Sequence, residues 1–449
     1  STSGPAFGTT RAVSSEMVFS GKMVHLSNTA DKVIAVYYRH TSDGGGLKAS
    51  VGTITGTNIT FGAETTVSNS NPAAYDVVYD SNTNKIIVAH SLGSYNKEGY
   101  AQVGVIREDG LLLWGGSFEW HPGAYVTRIR ATFDSNSNKV VIVYSDTNGS
   151  AQTRAVIGTV SAVVNDRSIS FGSPTVFSAS EVTELGMTFD SNSNKVVIAY
   201  RNGLNYNYGT GIVGTVSGTS ISFGSPTAFN AETTELISSV FDTNSNKVVI
   251  VYRNFVGKAV VGTVSGTSIS FGSVEAFTSG DTRRINSGFD STANKVIIVY
   301  TDQVDSGKGK TVLGTVSGTS IGFSSTVTYE NTDSNVFNSV AFVPTLNKAV
   351  ILWRSTSIHA AGSPVAVVYT TQPASTSNLT TENFVGIADA SYSSGTTATI
   401  QTAGAVDDAQ SGLTAGQAYF LRKDGTLGTT PDSTRVFAGV ALSATELMI

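Results

Sequence analysis

One order of polar and apolar positions recurs along the chain: a short polar turn, a lysine, and then apolar residues that end in an aromatic one. The clearest copy is Val240–Tyr252, which reads VFDTNSNKVVIVY. Successive marker lysines are spaced 53, 54, 56, 52, 48 and 53 residues apart. A repeat of this length indicates units that pack against one another. We number the copies one to seven by their marker lysines: Lys32, Lys85, Lys139, Lys195, Lys247, Lys295 and Lys348.

Each copy predicts four strands joined by polar turns. In copy five they are Glu235–Asp242, Lys247–Tyr252, Lys258–Ser265 and Ser268–Gly272. The second strand is almost solidly apolar rather than alternating, which is typical of a strand covered on both faces. Because one unit has no second layer of its own, the neighbouring copies must provide that cover. Four-stranded units of this length predict an all-β fold, a β-propeller.

The two ends of the repeat region predict how the propeller closes. Copy seven supplies only three strands, Phe337–Val343, Lys348–Arg354 and Pro364–Thr370, before the repeat stops. The missing fourth strand matches residues 5–10, whose sequence PAFGTT resembles ISFGSP at residues 169–174. A strand exchanged in this way removes the exposed sheet edge that proteins avoid. We therefore predict a seven-bladed β-propeller over residues 1–372, closed by an N-terminal strand.

The remaining residues predict a second, smaller domain. Residues 373–377 read as a linker, and residues 378–449 as a β-rich, barrel- or sandwich-like module for attachment or oligomerisation. Its predicted strands are residues 383–387, 396–402, 417–422 and 436–442, and the DG pair at residues 424–425 predicts a hairpin turn.

Composition narrows the functional classes. The 449 residues contain no cysteine, which excludes disulfides, thiol catalysis and thiolate metal sites. The formal net charge of −5, without a basic cluster, disfavours nucleic-acid binding. Apolar content is 40%, yet no apolar run reaches the length of a membrane span, so we expect no membrane insertion.

The loops predict two unlike faces of the propeller. The turns between strands one and two, and between strands three and four, hardly vary among the copies, whereas the opposite connections differ in length and content. We call the side with the divergent connections the variable rim. Divergence confined to one rim favours a functional surface there. The alternative is that short hairpin turns are simply more constrained sterically.

Aromatic residues and arginines on the variable rim are candidate ligand-binding residues. Flat rings can contact the C–H faces of sugars, and arginines can bind hydroxyl or carboxylate groups. Alternatively, the rings pack onto their own loops and the arginines are only solvated. The candidates are Tyr95, Tyr100, Trp120, His121, Tyr125, Arg201, Tyr206, Tyr208, Arg253 and Phe255.

Other candidate chemistry is weaker. The repeated Asp-x-Asn-x-Asn, as at residues 134–138, resembles half of a calcium loop, but a lysine follows, and a self-bonded turn explains it better. The histidines lack metal-ligand spacing. The nearest carboxylate pairs are Glu181 with Glu184, Glu232 with Glu235, and Asp302 with Asp305, and the first two recur in equivalent positions of adjacent copies, which favours a structural role. We therefore predict no catalytic residue, no metal and no cofactor.

Two parts of the chain resemble a known family. The units FDSNSNKVVI and GTVSGTSISFG are similar to propeller repeats of bacteriophage fibre proteins, especially those of marine phages. The segments NFVGIA (383–388), SGLTAGQAY (411–419), DGTL (424–427) and AGVALSAT (438–445) resemble a C-terminal piece of phage virion fibres. Copy two departs from the pattern, with LLLW at residues 111–114 in place of ISFG.

This resemblance implies a virion structural protein, often trimeric, that contacts host surface glycans. We therefore expect a non-enzymatic tail fibre or receptor-binding protein that presents its propeller rim to a host cell-surface polysaccharide and contacts other virion proteins. Alternatives are a purely architectural decoration or spacer protein, an envelope polysaccharide depolymerase, and an extracellular or cell-surface location.

Overall fold

The protein is described by a computed structural model that is almost wholly β-strand. Within the residues it describes there is no α-helix, and a single 3₁₀ turn lies at Pro344–Leu346. The chain divides into two compact units, one spanning Pro5–Thr371 and the other comprising Gln372–Ile449 with Ser1–Gly4. The described residues are 6–40, 45–93, 98–149, 151–331, 337–356, 362–371, 386–389, 397, 399–422, 426–431 and 436–449.

Each marker lysine is the first residue of a second strand, and first, second and third strands pair antiparallel in every copy. The first strands are Val18–His25, Tyr75–Asp80, Val126–Asp134, Leu185–Asp190, Glu235–Asp242, the later part of Ser268–Asp290, and Asn338–Val343. The second strands are Lys32–Arg39, Lys85–Ser91, Lys139–Asp146, Lys195–Asn202, Lys247–Asn254, Lys295–Asp302 and Lys348–Ser355. The third strands are Gly46–Thr55, Gly99–Ile106, Gln152–Val160, Tyr208–Ser217, Val256–Ser265, Lys308–Ser317 and Ser363–Thr370.

The fourth, outer strand is interrupted in most copies, and both of its segments pair with the third strand. The paired segments are Asn58–Phe61 with Thr65–Ser68, Ile169–Phe171 with Thr175–Ser178, Ser220–Phe223 with Thr227–Thr233, Ser320–Phe323 with Val327–Glu330, and Ala6–Phe7 with Arg11–Ala12. The uninterrupted outer strands are Leu112–His121 and the early part of Ser268–Asp290.

The predicted closure by the N-terminal strand is confirmed. Phe7 pairs with Tyr369 and Ala6 with Thr370, and the Gly8 N–H donates to the Val368 carbonyl at 2.8 Å. Arg11 pairs with Ala366 further along the same third strand. The fold is therefore an all-β propeller whose last sheet takes its outer strand from the other end of the chain.

The two-sided burial of the second strands is also confirmed, as copy three illustrates. Val140 and Ile142 pack in a cluster with Ile87 of copy two, whereas Val141 and Val143 pack with the second strand of copy four. All four of these side chains are fully buried. An unbroken β-branched run is thus required because each face meets a different neighbour.

The polar turns are self-bonded, as predicted, and do not have the ligand arrangement of a calcium loop. Asp134 Oδ1 accepts the N–H groups of Asn136 and Ser137 at 2.9 Å each, and its Oδ2 accepts the Ser137 hydroxyl at 2.5 Å. Asn138, just before Lys139, is left-handed with φ 54°, a conformation that asparagine tolerates. The repeated Asp and Asn are therefore explained by turn geometry.

Three details of the predicted strands are corrected. In copy two, Trp114 pairs with Gly104 as Phe171 pairs with Gly158. Trp114 therefore takes the place of the phenylalanine in ISFG, whereas the sequence match had placed it at the glycine. In copy three, the turn at residues 161–168 is longer than the uniform Gly-Thr turn expected and exposes Val163 and Val164.

The predicted end of the fourth strand of copy five, at Gly272, is also wrong. The strand Ser268–Asp290 continues into the first strand of copy six, so copies five and six form one eight-stranded sheet. The sheets therefore do not divide one per copy, and the count of seven blades stays a prediction.

The terminal unit has its own small β-sheet core formed by Leu413, Tyr419, Ala438, Ala441 and Leu447. The predicted linker and Asp-Gly turn lie outside the described residues, and the predicted strands are shorter where they are described. The strands are Ile387–Ala388, Ile400–Gln401, Val406–Asp407, Ala418–Leu421, Leu427–Gly428, Val436–Ala441 and Leu447–Met448. The roles assigned to the two units stay predictions.

Candidate functional site

Three exposed apolar side chains lie in the same connection of three successive copies on the variable rim. Tyr206, Phe255 and Val304 are 81%, 63% and 73% exposed. Each lies in the connection between the second and third strands, in copies four, five and six respectively. We call these three residues the apolar row. Large apolar groups held in water in the same connection of successive units indicate a contact surface more readily than a packing role.

The backbone holds the two rings of the apolar row in a conformation that their side chains disfavour. Tyr206 has φ 48° and Phe255 has φ 58°, and left-handed backbone is uncommon for bulky residues. Hydrogen bonds fix both loops: Thr234 N–H donates to the Asn207 carbonyl and Thr282 N–H to the Phe255 carbonyl, each at 3.1 Å. Backbone strain of this kind tends to lie at functional sites.

A groove of about 650 Å³ lies beside Val304, between copies five and six. Phe277 and Tyr300 line it and meet edge-to-face with ring centroids 5.4 Å apart. Val304 covers the backbone of Gly280, where a Cβ would lie 2.2 Å from the valine methyl group. We call this the rim groove. Its volume is in the range of small-ligand sites, roughly 300–1,000 Å³.

The polar side of the rim groove is an ion cluster. Lys310 Nζ lies 2.8 Å from Asp302 and 2.7 Å from Asp305, and Lys308 Nζ lies 3.0 Å from Asp305. Burial lowers the pKa of Lys310, but hydrogen bonds to the two carboxylates outweigh it and the net pKa is raised. Hydrogen bonds from Lys310 and Lys308 lower the pKa of Asp305. Lys310 and Asp305 are therefore both ionised at neutral pH and can bond sugar hydroxyls.

Copy five places a second charged group next to Phe255. The Arg253 guanidinium lies 2.6 Å from Glu235 and 2.8 Å from Asp281, and Lys258 Nζ lies 3.6 Å from Glu232. The sequence left Arg253 as either an anion binder or a solvated side chain. The structure instead shows it bridging two carboxylates, so its charge is already compensated.

Trp120 does not form the exposed platform that the sequence suggested. It is 3% exposed and contacts Tyr144 and Phe171 at centroid distances of 6.1 and 5.9 Å. Phe177 and Phe229 wedge in the same way against the second-strand tyrosines of the next copies, at 5.6 and 5.2 Å. Trp120 follows Trp114 by six residues, as Phe177 follows Phe171, so the sequence contained the signal. Its position is that of an inter-blade wedge.

His121 and Tyr125 lie in a hydrogen-bonded network between copies two and three. The Tyr144 hydroxyl and His121 Nδ1 are 2.7 Å apart, and Asp146 accepts the Tyr125 N–H at 3.1 Å. Arg154 Nε lies 3.7 Å from Asp146. Burial lowers the pKa of His121, with Asp146 opposing and Arg154 reinforcing the effect. The imidazole is therefore neutral at neutral pH.

The other candidates are dispersed around the rim. The Tyr100 hydroxyl donates to Glu98 at 3.1 Å and its ring stacks on His90, while the Tyr208 ring lies 5.8 Å from that of Tyr206. Arg201 is half-buried, and its backbone N–H donates to Glu184. Tyr95 lies outside the described residues. The structure thus brings Tyr206, Tyr208, Arg253 and Phe255 to adjacent copies, and places His121 and Tyr125 in a separate sector.

The sequence did not single out Val304, Asp302 and Lys310 as ligand-binding residues. A usable signal was present, since Val304 is an isolated apolar residue in the loop sequence DQVDSGKGK, nine residues after its marker lysine, as Leu204 is in copy four. Within the described residues, no group of three or more His, Cys, Asp or Glu side chains is positioned to hold a metal. No helix there has the length and apolarity to cross a bilayer.

Comparisons with known proteins match the fold only. No protein-family model matches the sequence, and no curated protein matches it. The BP39L lectin of Burkholderia pseudomallei is similar in structure, with TM-score 0.59 and 11% identity over 80% of this chain and 98% of the lectin. A putative 6-phosphogluconolactonase of Bacteroides fragilis has TM-score 0.48 and 11% identity, over 70% of this chain and 85% of that protein. At such identities the lectin likeness shows a shared fold.

Proposed function

We propose that this protein is a non-enzymatic glycan-binding propeller whose ligand lies across the rim groove and the apolar row. The observation that supports it best is the rim groove itself, with the exposed Val304 at its edge and the ionised Lys310 cluster on its polar side. Sugars need an apolar surface for their C–H faces and directional polar groups for their hydroxyls, and this groove offers both. The structural likeness to a lectin agrees with this proposal.

The charge state of the groove favours binding over glycoside hydrolysis. Hydrolysis requires one carboxyl group that stays protonated and can act as an acid. The lysines instead lower the pKa of Asp305, so this carboxyl does not retain a proton at neutral pH, and Lys310 Nζ lies 2.8 Å from Asp302. The ionised Asp305 therefore disfavours the depolymerase alternative at the rim groove.

We further propose that the chain belongs to a phage tail or virion fibre and presents this rim to a host cell-surface polysaccharide. The support is the resemblance of the repeats and of the C-terminal segments to phage fibre sequences. A homo-oligomer, most simply a trimer, would present several rims at once, and weak individual contacts would then sum to firm attachment. Its terminal unit would contact other virion proteins.

Glycan-array and host-cell binding by the full chain test the proposal. Phe255→Asn removes the ring while tolerating the left-handed backbone, and Lys310→Met removes the charge while keeping the side-chain length. Each variant should reduce glycan binding at least tenfold with the melting temperature preserved. The matched control is Val164→Ala, an exposed apolar residue, 82% exposed, in a turn between a third and a fourth strand. It should leave binding unchanged.

The alternatives predict other outcomes. If the protein is an architectural spacer, the full chain binds no glycan and particles with the Phe255→Asn and Lys310→Met variants attach to cells normally. If it is a depolymerase, incubation with host envelope releases short sugars, and a single Glu→Gln change abolishes the release. Either result would reject the proposed function.

A further inference from the structure

A second pocket lies where the first strands of copies one to four meet at the rim end of the central channel. Its volume is about 450 Å³. The wall includes the rings of Phe19, Tyr38 and Tyr75, and the charged residues Lys22, Arg130 and Glu184. We call it the channel pocket. None of its lining residues belongs to the rim groove, so its ligand is argued independently of the proposed function.

A β-bulge turns two arginines toward this pocket. The pairing of Val126–Asp134 with Lys139–Asp146 shifts register between Thr127 and Arg130. Arg128 within the bulge has φ 52°, and both Arg128 and Arg130 line the pocket. Bulges near binding sites commonly re-aim side chains, and the left-handed arginine adds backbone strain. The same bulge recurs with a left-handed residue at Leu236 and Arg284 in copies five and six, so it belongs to the repeat, and in copy three it carries arginines that line the pocket.

The carboxylates in the channel already have other partners. Asp76 accepts the Ala131 N–H at 2.9 Å and the Val77 N–H at 3.1 Å, and lies 4.0 Å from Lys22 Nζ. Glu184 accepts the Leu236 N–H at 3.1 Å. Three cations therefore face two carboxylates whose oxygens are partly used by backbone donors. Arg130 Nη1 donates to the Ile129 carbonyl at 2.9 Å, and a bound anion would supply further acceptors for the three cations.

The cations also repel one another. The Arg130 guanidinium, followed by burial, lowers the pKa of Lys22 to about 8, and Asp76 offsets this only in part. The Lys22 side chain is 25% exposed, so it faces water in the channel rather than the protein core. Two like charges held together without full compensation are stabilised by a counter-charge between them.

We propose that the channel pocket binds a compact anion on a sugar-sized body, the carboxylate or phosphate of an acidic saccharide residue. Lys22, Arg128 and Arg130 bind the anionic group, because guanidinium and ammonium groups form charge-assisted bonds with carboxylate or phosphate oxygens. The rings of Phe19 and Tyr38, tilted at 5.0 Å from each other, contact the apolar side of the ligand. The pocket volume suits one or two sugar residues.

Binding at this site should depend on pH in one direction. The groups that face Lys22 are Arg130 and Arg128 of copy three, Asp76 of copy two and Glu184 of copy four. An anion stabilises the protonated lysine, so its affinity is full below pH 8 and falls as the pH rises and free Lys22 loses its proton.

The test measures calorimetric affinities of the full chain for four probes: glucuronate, glucose 6-phosphate, inorganic phosphate and neutral glucose. We expect at least one sugar anion to bind at least tenfold more tightly than glucose. Binding of glucuronate alone or of glucose 6-phosphate alone identifies the anionic group, and binding of both confirms the shared chemistry. Binding of inorganic phosphate without either sugar anion, or equal affinity for all four probes, would overturn the proposal.

Two variants locate the site. Lys22→Met and Arg130→Gln should each weaken anion binding at least tenfold, and Lys22→Met should also abolish the fall in affinity between pH 7 and 9.5. The control Val164→Ala, at a residue 82% exposed in a turn outside both sites, should leave anion binding unchanged. If Arg130→Gln lowers the melting temperature, the pH dependence of anion affinity in Lys22→Met tests the location of the site instead. Wild-type affinity and pH profile in Lys22→Met would refute the assignment.

Discussion

The backbone of Gly8 lies directly against the carbonyl oxygen of Thr57, so closely that a Cβ on Gly8 would lie 1.8 Å from that oxygen. Gly8 belongs to the N-terminal outer strand of copy seven, and Thr57 to the turn between strands three and four of copy one. The same glycine-to-threonine contact joins successive copies elsewhere, at 1.8 or 1.9 Å: Gly172 with Thr219, Gly224 with Thr267, and Gly272 with Thr319. The closing interface therefore has the same geometry as the internal ones.

Gly8→Ala should destabilise the propeller by about 1–3 kcal/mol, because the new methyl group forces the two copies apart where they are packed backbone to backbone. Chemical unfolding followed by tryptophan fluorescence measures the change. The control is Gly322→Ala, at the residue just before the outer-strand Phe323, where a Cβ meets nothing within 4 Å. Equal stabilities of the two variants would contradict the idea that the ring closes through this contact.

The repeat made most of the propeller predictable from the sequence. In copies two to six the marker lysine begins a second strand because the Asp before it closes a turn through bonds to nearby backbone N–H groups. The exchange of the N-terminal strand followed from Phe7, which matches Phe171 and replaces the strand that copy seven lacks. The polar turns and the recurring apolar residues thus predicted the units and the way in which the propeller closes.

The features that were not predicted depend on contacts between copies. Trp120 read as an exposed ring because its loop is polar, yet its burial comes from Tyr144 and Phe171 of the next copy. Arg253 read as solvated or anion-binding because Glu235 and Asp281 are distant from it in sequence. The strand through Gly272 is continuous because it pairs with one strand of copy five and one strand of copy six. The pattern within a single copy does not encode those pairings.

Substitutions of Trp120 and Tyr206 should have opposite effects: one should lower stability and the other should lower glycan binding. Trp120→Ala removes a buried wedge between copies two and three and should cost about 3–5 kcal/mol of unfolding free energy, since it leaves a cavity. Tyr206→Asn removes an exposed ring and should change stability by less than about 0.5 kcal/mol. Denaturant midpoints measure both effects.

Under the proposed function, the Tyr206 substitution should impair glycan binding more than the Trp120 substitution does. Tyr206→Asn should weaken retention on the recognised glycan, whereas folded Trp120→Ala protein should retain it at low temperature. The assignment of Trp120 as a wedge fails if its alanine variant melts like the wild type.

His90 should make the propeller sensitive to mild acid. Copy two has this histidine where most copies have tyrosine, and burial lowers its pKa to about 4. Between pH 6.5 and 4 the unfolded chain therefore binds a proton that the folded chain excludes, so stability falls as the pH falls through this window. The loss should approach about 3 kcal/mol near pH 4.

His90→Phe removes the titrating group, and its unfolding free energy should fall less steeply than that of the wild type between pH 7 and 4.5. Any constant packing cost of the larger ring appears equally at both pH values and cancels in the comparison. Parallel curves for the two proteins would show that His90 is protonated as readily in the folded chain as in the unfolded one.

Lys22 should reduce stability at neutral pH, as expected of a charge held for binding rather than for folding. Its pKa is lowered to about 8 in the folded chain, mainly by Arg130, from an ordinary value of 10.5. Below pH 8 both states are protonated and the full cost of the charge is present. Between pH 8 and 10.5 the unfolded chain retains the proton longer, so the stability of the wild type rises with pH.

Lys22→Met should therefore be more stable than the wild type at pH 7 by about 1–3 kcal/mol, and this advantage should shrink as the pH approaches 10. Asp76 keeps its bonds to the Ala131 and Val77 N–H groups in the variant, so removing the lysine does not strand a bare carboxylate. Urea midpoints at pH 7, 8.5 and 10 measure the trend. A variant that is less stable at pH 7, with a gap that widens toward pH 10, would mean that Asp76 outweighs Arg130 and that the channel has no excess positive charge to offer an anion.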